Sequence, residues 1–305
     1  MKIAFISGVK YGHELLSHLL EKGIDISIIF SYNDSTRKKY SDNASFENLA
    51  EKFSIQNIQV ENINETQNIK ILEEISPDLI LVMGWSQIIN DSILNIPKIG
   101  VIGSHPTELP KYRGRAPIPW TILKNLKESA LTLFYMRSGI DNGDILAQKK
   151  FSISDIDDAT SIYEKIISLG KDMLLENLPL LEMGTATRMK QDEEKFIEYW
   201  KKRTPEDGHI DWSSDGKEIL NLIRATTHPY PGAYTFFKNS KLCIWKAEYL
   251  HQKNNTIGML NVKKDSVEIG TGKGVIKILS ISFDGVEINA NDFFLTEHTG
   301  TILGN

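Results

Sequence analysis

Two short segments hold the residue types that acid–base chemistry needs. In GVIGSHPTELPKYRGRAPIPW, residues 100–120, an apolar strand runs into His105 and is followed by a loop rich in proline, glycine and arginine. In MRSGIDNGDILAQ, residues 136–148, two carboxylates, Asp141 and Asp144, sit in a glycine-flanked turn after a second apolar strand, LTLFYM. A histidine and a carboxylate make the smallest general-base pair. The imidazole takes a proton near neutral pH, while the carboxylate orients the ring and stabilises its cation. Each segment also has a plainer reading: a solvated histidine on a rigid surface loop, and a turn in which aspartate hydrogen-bonds its own backbone. No GxSxG elbow and no metal-spaced histidine cluster is present, so neither a serine nucleophile nor a metal is expected. Gly8, Gly12 and Gly23 do not spell GxGxxG after the first strand, which argues against a dinucleotide.

The elements that must carry these segments follow from periodicity. Residues 2–7 form an apolar strand ending at Gly8, and Leu15, Leu16, Leu19 and Leu20 then recur at helical spacing up to Gly23. Residues 24–30 read as the next strand, 31–44 as a loop, and FENLAEKFS as a helix. A further amphipathic helix over 68–76 stops at Pro77, strand DLILVMG follows at 78–84, and another strand begins at Gly100. Alternating strands and helices predict parallel βαβ units in a doubly wound, mostly parallel sheet, with ligands at the carboxyl ends of the strands. Both chemical segments are expected at ends of parallel strands. A long helix covers about 158–182, and a polar, charged stretch over 187–209 reads as a linker. Beyond it lie a helix, KEILNLIRATT, a hairpin around Asn239-Ser240, and a second strand-rich run with glycine turns. The expected organisation is an α/β domain over 1–186, a linker over 187–209 and a smaller β-rich, barrel-like domain over 210–305.

Composition limits the setting. The chain has 305 residues, a formal net charge of −5 and one cysteine, Cys243, so no intrachain disulfide can form. A reducing, cytoplasmic location is expected. The opening MKIAFISGVKYGHELL has too short an apolar run for a secretory signal, and no stretch reaches the roughly 20 apolar residues of a membrane span. The mild acidity argues against a partner held through phosphate charge.

Three ordered segments together carry a resemblance. HPTELPKYRGRAPIPWTIL is similar to the histidine loop, and GIDNGDILAQ to the aspartate loop, of the enzymes that use 10-formyltetrahydrofolate to formylate amines. RTPEDGHIDW followed by IRATTHPYPGAYTFF is similar to the start of their C-terminal domain. This family includes methionyl-tRNA formyltransferase, glycinamide ribonucleotide transformylase and the sugar N-formyltransferases, and the resemblance covers nearly the whole chain. It implies a Rossmann-like catalytic domain and direct acyl transfer without a metal. An uncharged amine attacks the formyl carbon while His105 takes the proton or stabilises the oxyanion, and Asp141 holds His105.

The family pattern Asn-x-His places its asparagine at Gly103, a departure that removes one oxyanion donor. Ser104 should face away from His105 by strand alternation, so Thr107, a backbone N–H or a water is the expected substitute. The resemblance further implies that the pterin of the folate lies against Gly84, Trp85, Ser86, Gln87, Ile88 and Ile89 and against Ser138, Gly139, Ile140 and Asp141. Trp85 and Ile88 would form an apolar slot, core packing being their other reading. Arg113 and Arg115 would meet a phosphate or brace the loop, and Lys10 and Tyr11 would face a diphosphate. Trp200, Trp212 and Trp245 read as packing residues, and His228 as a turn residue.

The HPT-x-LP-x-x-RGR form resembles a sugar-modifying branch of the family, which implies as acceptor the amine of a nucleotide-linked sugar, with pseudaminic acid precursors and other 4-amino-4,6-dideoxy sugars on UDP or dTDP as candidates. The alternative is charged initiator tRNA. From Arg203 onward there are 11 Lys/Arg against 12 Asp/Glu, where a tRNA enzyme should be basic. A second copy of the chain is the protein partner to test.

Overall fold

The computed structural model describes residues 1–252 and 256–304. Two compact units emerge: one comprises Met1–Pro117, Glu128–Ser152 and Tyr163–Lys201, the other Ile118–Lys127, Ile153–Ile162 and the chain from Lys202 on.

In the first unit, strands β1 (Ile3–Ile6), β2 (Ile28–Tyr32), β3 (Asn57–Val60), β4 (Leu79–Val82) and β5 (Gly100–His105) pair in the order β3-β2-β1-β4-β5, all parallel. β1, β2 and β4 are buried along their whole length, which is why they read as unbroken apolar runs. Helix α1 (Lys10–Glu21) buries the stripe Leu15, Leu16, Leu19 and Leu20, as its spacing predicts. Gly23 ends this segment at φ +77°, a left-handed value that suits glycine.

β6 (Tyr112–Gly114), β7 (Glu128–Tyr135), β8 (Ile145–Ser152) and β9 (Glu198–Trp200) complete the strands of this unit. β7 and β8 extend the sheet beyond β5, but both pairings are antiparallel. The aspartate segment therefore does not follow a parallel strand. β7 ends with Tyr135 opposite Ile102, while His105 lies opposite Thr132. The loop after Tyr135 must run back towards His105, and it does, as the contacts below show. An apolar run signals burial and not strand direction, so the sequence could not reveal this.

β6 and β9 form a separate two-stranded parallel sheet with Arg113 opposite Tyr199 and Gly114 opposite Trp200. Gly114 sits at φ +111°, and a Cβ there would strike the Trp200 carbonyl, so the close approach requires glycine. Residues 187–201 thus lie within the first unit, although their charge pattern resembles a linker.

In the second unit, strands β10 (Ala233–Phe237), β11 (Ser240–Leu250), β12 (Leu260–Lys263), β13 (Ser266–Gly270), β14 (Val275–Phe283) and β15 (Val286–Asn289) are all antiparallel. They pair in the order β10-β11-β14-β13-β12, with β15 on β14. The predicted hairpin turns through Lys238 and Asn239, both at positive φ, as a two-residue type I′ turn demands. A helix over Gly216–Thr226 contributes Ile219 and Ile223 to a core with Trp212, Leu242, Ile244 and Ile278. No helix among the described residues is long and apolar enough to cross a membrane.

Candidate active site

His105 closes β5 and is 5% exposed. Its Nε2 lies 3.0 Å from the Tyr112 carbonyl oxygen. A carbonyl only accepts, so Nε2 carries the hydrogen and Nδ1 is the basic nitrogen of the neutral ring. Nδ1 faces Asp141 Oδ2 at 3.6 Å. That separation is an ion-pair distance rather than a hydrogen bond, and only the doubly protonated ring can donate towards both oxygens. The Asp141 carboxylate is fixed by the Gly114 N–H, which donates to Oδ2 at 2.9 Å. Asp141 itself has φ +47°, a left-handed conformation that aspartate tolerates better than most residues.

The surroundings of this pair are heavily bonded. The Thr107 hydroxyl donates to the Tyr112 carbonyl at 2.6 Å, so its proton is in use. Arg113 is buried; its guanidinium forms a two-pronged ion pair with Glu193 and also donates to Gln191 Oε1. Gly103 stands one residue pair back from His105, and a Cβ there would come within 2.9 Å of Met136 Cγ and Sδ. Met136 thus fills the space that a side chain at Gly103 would occupy.

The second group of positions lies after β4. Trp85 stacks on Tyr32 with ring centres 3.8 Å apart, and Tyr32 stacks on Tyr40 at 4.9 Å. The Ser86 N–H donates to the Tyr32 hydroxyl, whose pKa is pushed up by burial and by its neighbour Tyr40. The Gln87 side chain is tied to Ile63 N–H and the Glu61 carbonyl. Ile89 is buried, whereas Ile88 is 74% exposed. Ser138, Gly139 and Ile140 are exposed in the loop that carries Asp141. Gly84 has φ +72°, and a Cβ there would collide with Val9.

Four further positions are placed as follows. Lys10 is exposed at the start of α1, but Tyr11 is buried and burial raises the pKa of its hydroxyl. The Lys10 N–H donates to the Asp42 carbonyl, and the Tyr11 N–H to the Tyr163 hydroxyl. Arg115 is exposed, its N–H bonded to the Trp200 carbonyl. Asp144 pairs with Arg188 at 3.3 Å rather than with His105. Among the described residues, Lys10, Tyr11 and Arg115 make no ion pair with His105 or Asp141. Tyr112, Met136 and Gln191 all shape the site without having been singled out; Tyr112 and Met136 lie inside the two chemical segments, but Tyr112 acts through its backbone, which leaves no trace in side-chain chemistry, and Gln191 lies outside both.

Residues 1–178 match the Formyl transferase family and residues 202–297 match the Formyl transferase C-terminal domain. The chain belongs to the formyl transferase family. It is 34% identical over 311 residues, 99% of this chain and all of the relative, to the methionyl-tRNA formyltransferase of Caldanaerobacter subterraneus subsp. tengcongensis. Solved structures that share its fold include the following two. HypX from Aquifex aeolicus in complex with tetrahydrofolic acid aligns with a TM-score of 0.69 at 19% identity over 96% of this chain. The chain spans 46% of HypX, about half its length. The N-formyltransferase from Helicobacter canadensis, in complex with folinic acid and dTDP-3-aminofucose, aligns with a TM-score of 0.66 at 20% identity, over 91% of this chain and 98% of that one.

Members of the formyl transferase family are folate-dependent transferases, and this chain is an enzyme of that kind with formyltetrahydrofolate as its donor. The loops after β4 and after β7 have features that fit a pterin. The Trp85 indole N–H is buried without a hydrogen-bond partner, and Ile88 and Ile140 present bare apolar side chains. A flat heterocycle calls for such a combination of apolar walls and a few polar groups. Among the described residues, no group of three or more His, Cys, Asp or Glu is placed to hold a metal ion.

Proposed function

We propose that the chain transfers the formyl group to the amine of a small, nucleotide-linked amino sugar. The observation that carries this is the charge of the second unit. Its slight acidic excess is accompanied by ion pairs at three of its lysines: Lys263 with Glu268, Lys273 with Asp215 and Lys277 with Glu248. Arg224 is turned to the carbonyls of Asp157 and Ser154. A unit without an excess of cations gains little from counterion release on a phosphate backbone, a release that supplies a large share of nucleic-acid affinity.

The folate would be held by the backbone of Gly84–Ile89 and Ser138–Asp141 and by Trp85 and Ile88, and when bound it supplies an electrophilic formyl carbon. His105 then accepts at Nδ1 the proton that the acceptor amine sheds as it bonds to the formyl carbon, and would return it to the folate nitrogen whose bond to that carbon breaks, so that tetrahydrofolate leaves as a neutral amine. Asp141 stabilises the resulting imidazolium across the 3.6 Å gap. The Tyr112 carbonyl keeps the ring in one tautomer throughout. Gly103 offers no amide to the developing oxyanion, and the Thr107 proton is engaged, so a backbone N–H or a water takes that part.

A second reading has its own support: the 34% identical relative over the full chain is named for methionyl-tRNA. The two are separated by incubating the protein with 10-formyltetrahydrofolate and either dTDP- and UDP-linked amino sugars or methionyl initiator tRNA, and detecting the formylated product by mass spectrometry. Formylation of a sugar amine and not of the tRNA is expected. Comparable rates on the tRNA would overturn the sugar assignment.

A further inference from the structure

Gln191 lies in a run of charged residues, KQDEEK, and belongs to no motif. Its amide is nonetheless fully committed to the candidate active site. Nε2 donates to the carbonyl of Asp141 at 2.8 Å and to that of Gly143 at 2.7 Å. Oε1 accepts from Arg113 Nε at 3.2 Å and from Arg113 Nη2 at 2.7 Å. The orientation of the amide is dictated by its partners: a guanidinium cannot accept and a carbonyl cannot donate, so only one way round satisfies all four bonds. Arg113 is in turn held by both oxygens of Glu193 and covered by the Phe196 ring, 5.3 Å from its centre.

This anchorage falls where the aspartate loop needs it. Asp141 adopts a left-handed backbone, and residues 137–140 before it are exposed. Within the loop, the side chain of Asn142 makes only long contacts, 3.4 Å to Arg137 and 3.4 Å to the Ser138 carbonyl. The short bonds that fix Asp141 are the Gly114 N–H on its carboxylate and Gln191 on its backbone. We infer that Gln191, pinned by Arg113, is a positioning residue that holds the Asp141 carboxylate at ion-pair distance from His105. The inference rests on the reading of His105 and Asp141 as the catalytic pair. Gln191 touches neither substrate nor reacting atoms; it acts through Asp141. Without it the loop is free to relax from its left-handed turn, and a displacement of about 1 Å at a catalytic group can cost roughly 10²-fold in rate.

The test uses the full chain with isotopically labelled histidine and glycine and reads the His105 ring signal and the Gly114 amide by NMR at constant pH, so it needs no acceptor. His105 is assigned by its loss in His105→Ala. Asp141→Asn is expected to move the ring signal because the carboxylate charge opposite Nδ1 is gone. Gln191→Leu, which retains Asp141, is expected to move it in the same direction and to speed amide exchange at Gly114. Gln191→Asn, with the same amide on a shorter stem, is expected to do likewise and stands in if the leucine variant does not fold. A His105 signal unmoved in the Gln191 variants, while Asp141→Asn moves it, overturns the positioning role and leaves the catalytic pair standing. A signal unmoved in Asp141→Asn overturns the pair itself.

Discussion

His105 has only one nitrogen available for proton transfer, since Nε2 is engaged by the Tyr112 carbonyl at 3.0 Å. In the proposed mechanism removing the ring removes the base, so His105→Ala should lower kcat by roughly 10² or more with the fold intact by circular dichroism; a variant retaining most of its turnover would take His105 out of the mechanism. Gly103 sharpens the picture. Restoring the family asparagine there would drive a side chain into Met136, whose Cγ and Sδ lie 2.9 Å from the Cβ position. Overpacking of that kind costs about 1–3 kcal/mol, so Gly103→Asn should melt earlier and show a lower kcat/KM. The double change Gly103→Asn with Met136→Ala should recover the stability. A single variant with roughly tenfold higher kcat/KM, within the reach of one oxyanion donor, would show that the donor is simply missing. His105, Asp141 and Gly103 were legible in the sequence because they sit inside recognisable loops. Met136 was not, because strand alternation shows which face a residue takes and not what lies opposite it.

The elements place these residues, and their legibility differs in kind. β1, β2 and β4 announce themselves because a strand covered on both faces has no polar positions to interrupt it. The reversal of β7 leaves no such mark, since its buried run looks the same in either direction. The stretch around Gln191 misleads for the opposite reason: its charged residues are exposed, yet Glu193 pairs with the buried Arg113 and the Gln191 amide is bonded to the aspartate loop. The loop before α3 (Glu47–Lys52, with α2 at Asp34–Arg37) offers a test at this scale. Its Asp42 accepts a hydrogen bond from Tyr163 at 2.9 Å, yet burial outweighs that bond and raises the carboxyl pKa above the ordinary value. A carboxyl raised in the folded state penalises folding as pH climbs past the unfolded pKa of about 4. The penalty grows until the folded group has ionised and is constant above that. Asp42→Asn keeps an acceptor for Tyr163 and removes the charge. It should therefore raise the melting temperature at neutral pH and leave it nearly unchanged in acid, and thermal melts at the two pH values check this. Equal effects at both would assign the change to packing instead of ionisation.

At the scale of the whole molecule, the proposed sugar acceptor rests on charge more than on any single residue. The formal net charge is −5, and Lys263, Lys273 and Lys277 are held in ion pairs, so no overall excess of cations favours a polyanion. That makes the salt response of the reaction a measure of acceptor class. An acceptor gripped through six to ten phosphates loses roughly 10³–10⁵-fold in affinity between about 50 and about 200 mM salt, because each contact releases condensed counterions. A nucleotide-linked sugar carries only a diphosphate and has no condensed ion atmosphere to release. Over the same interval its KM should rise less than about tenfold, the residue of ordinary screening as the Debye length shortens. The prediction is read from KM for the acceptor at saturating folate across a salt series. The folate's own KM serves as the internal control, since a general loss of the enzyme would move both. A steep fall confined to the acceptor would mean that cations now drawn into ion pairs are surrendered to a nucleic acid on binding. The ion-pair pattern would then describe the resting enzyme and not its acceptor complex.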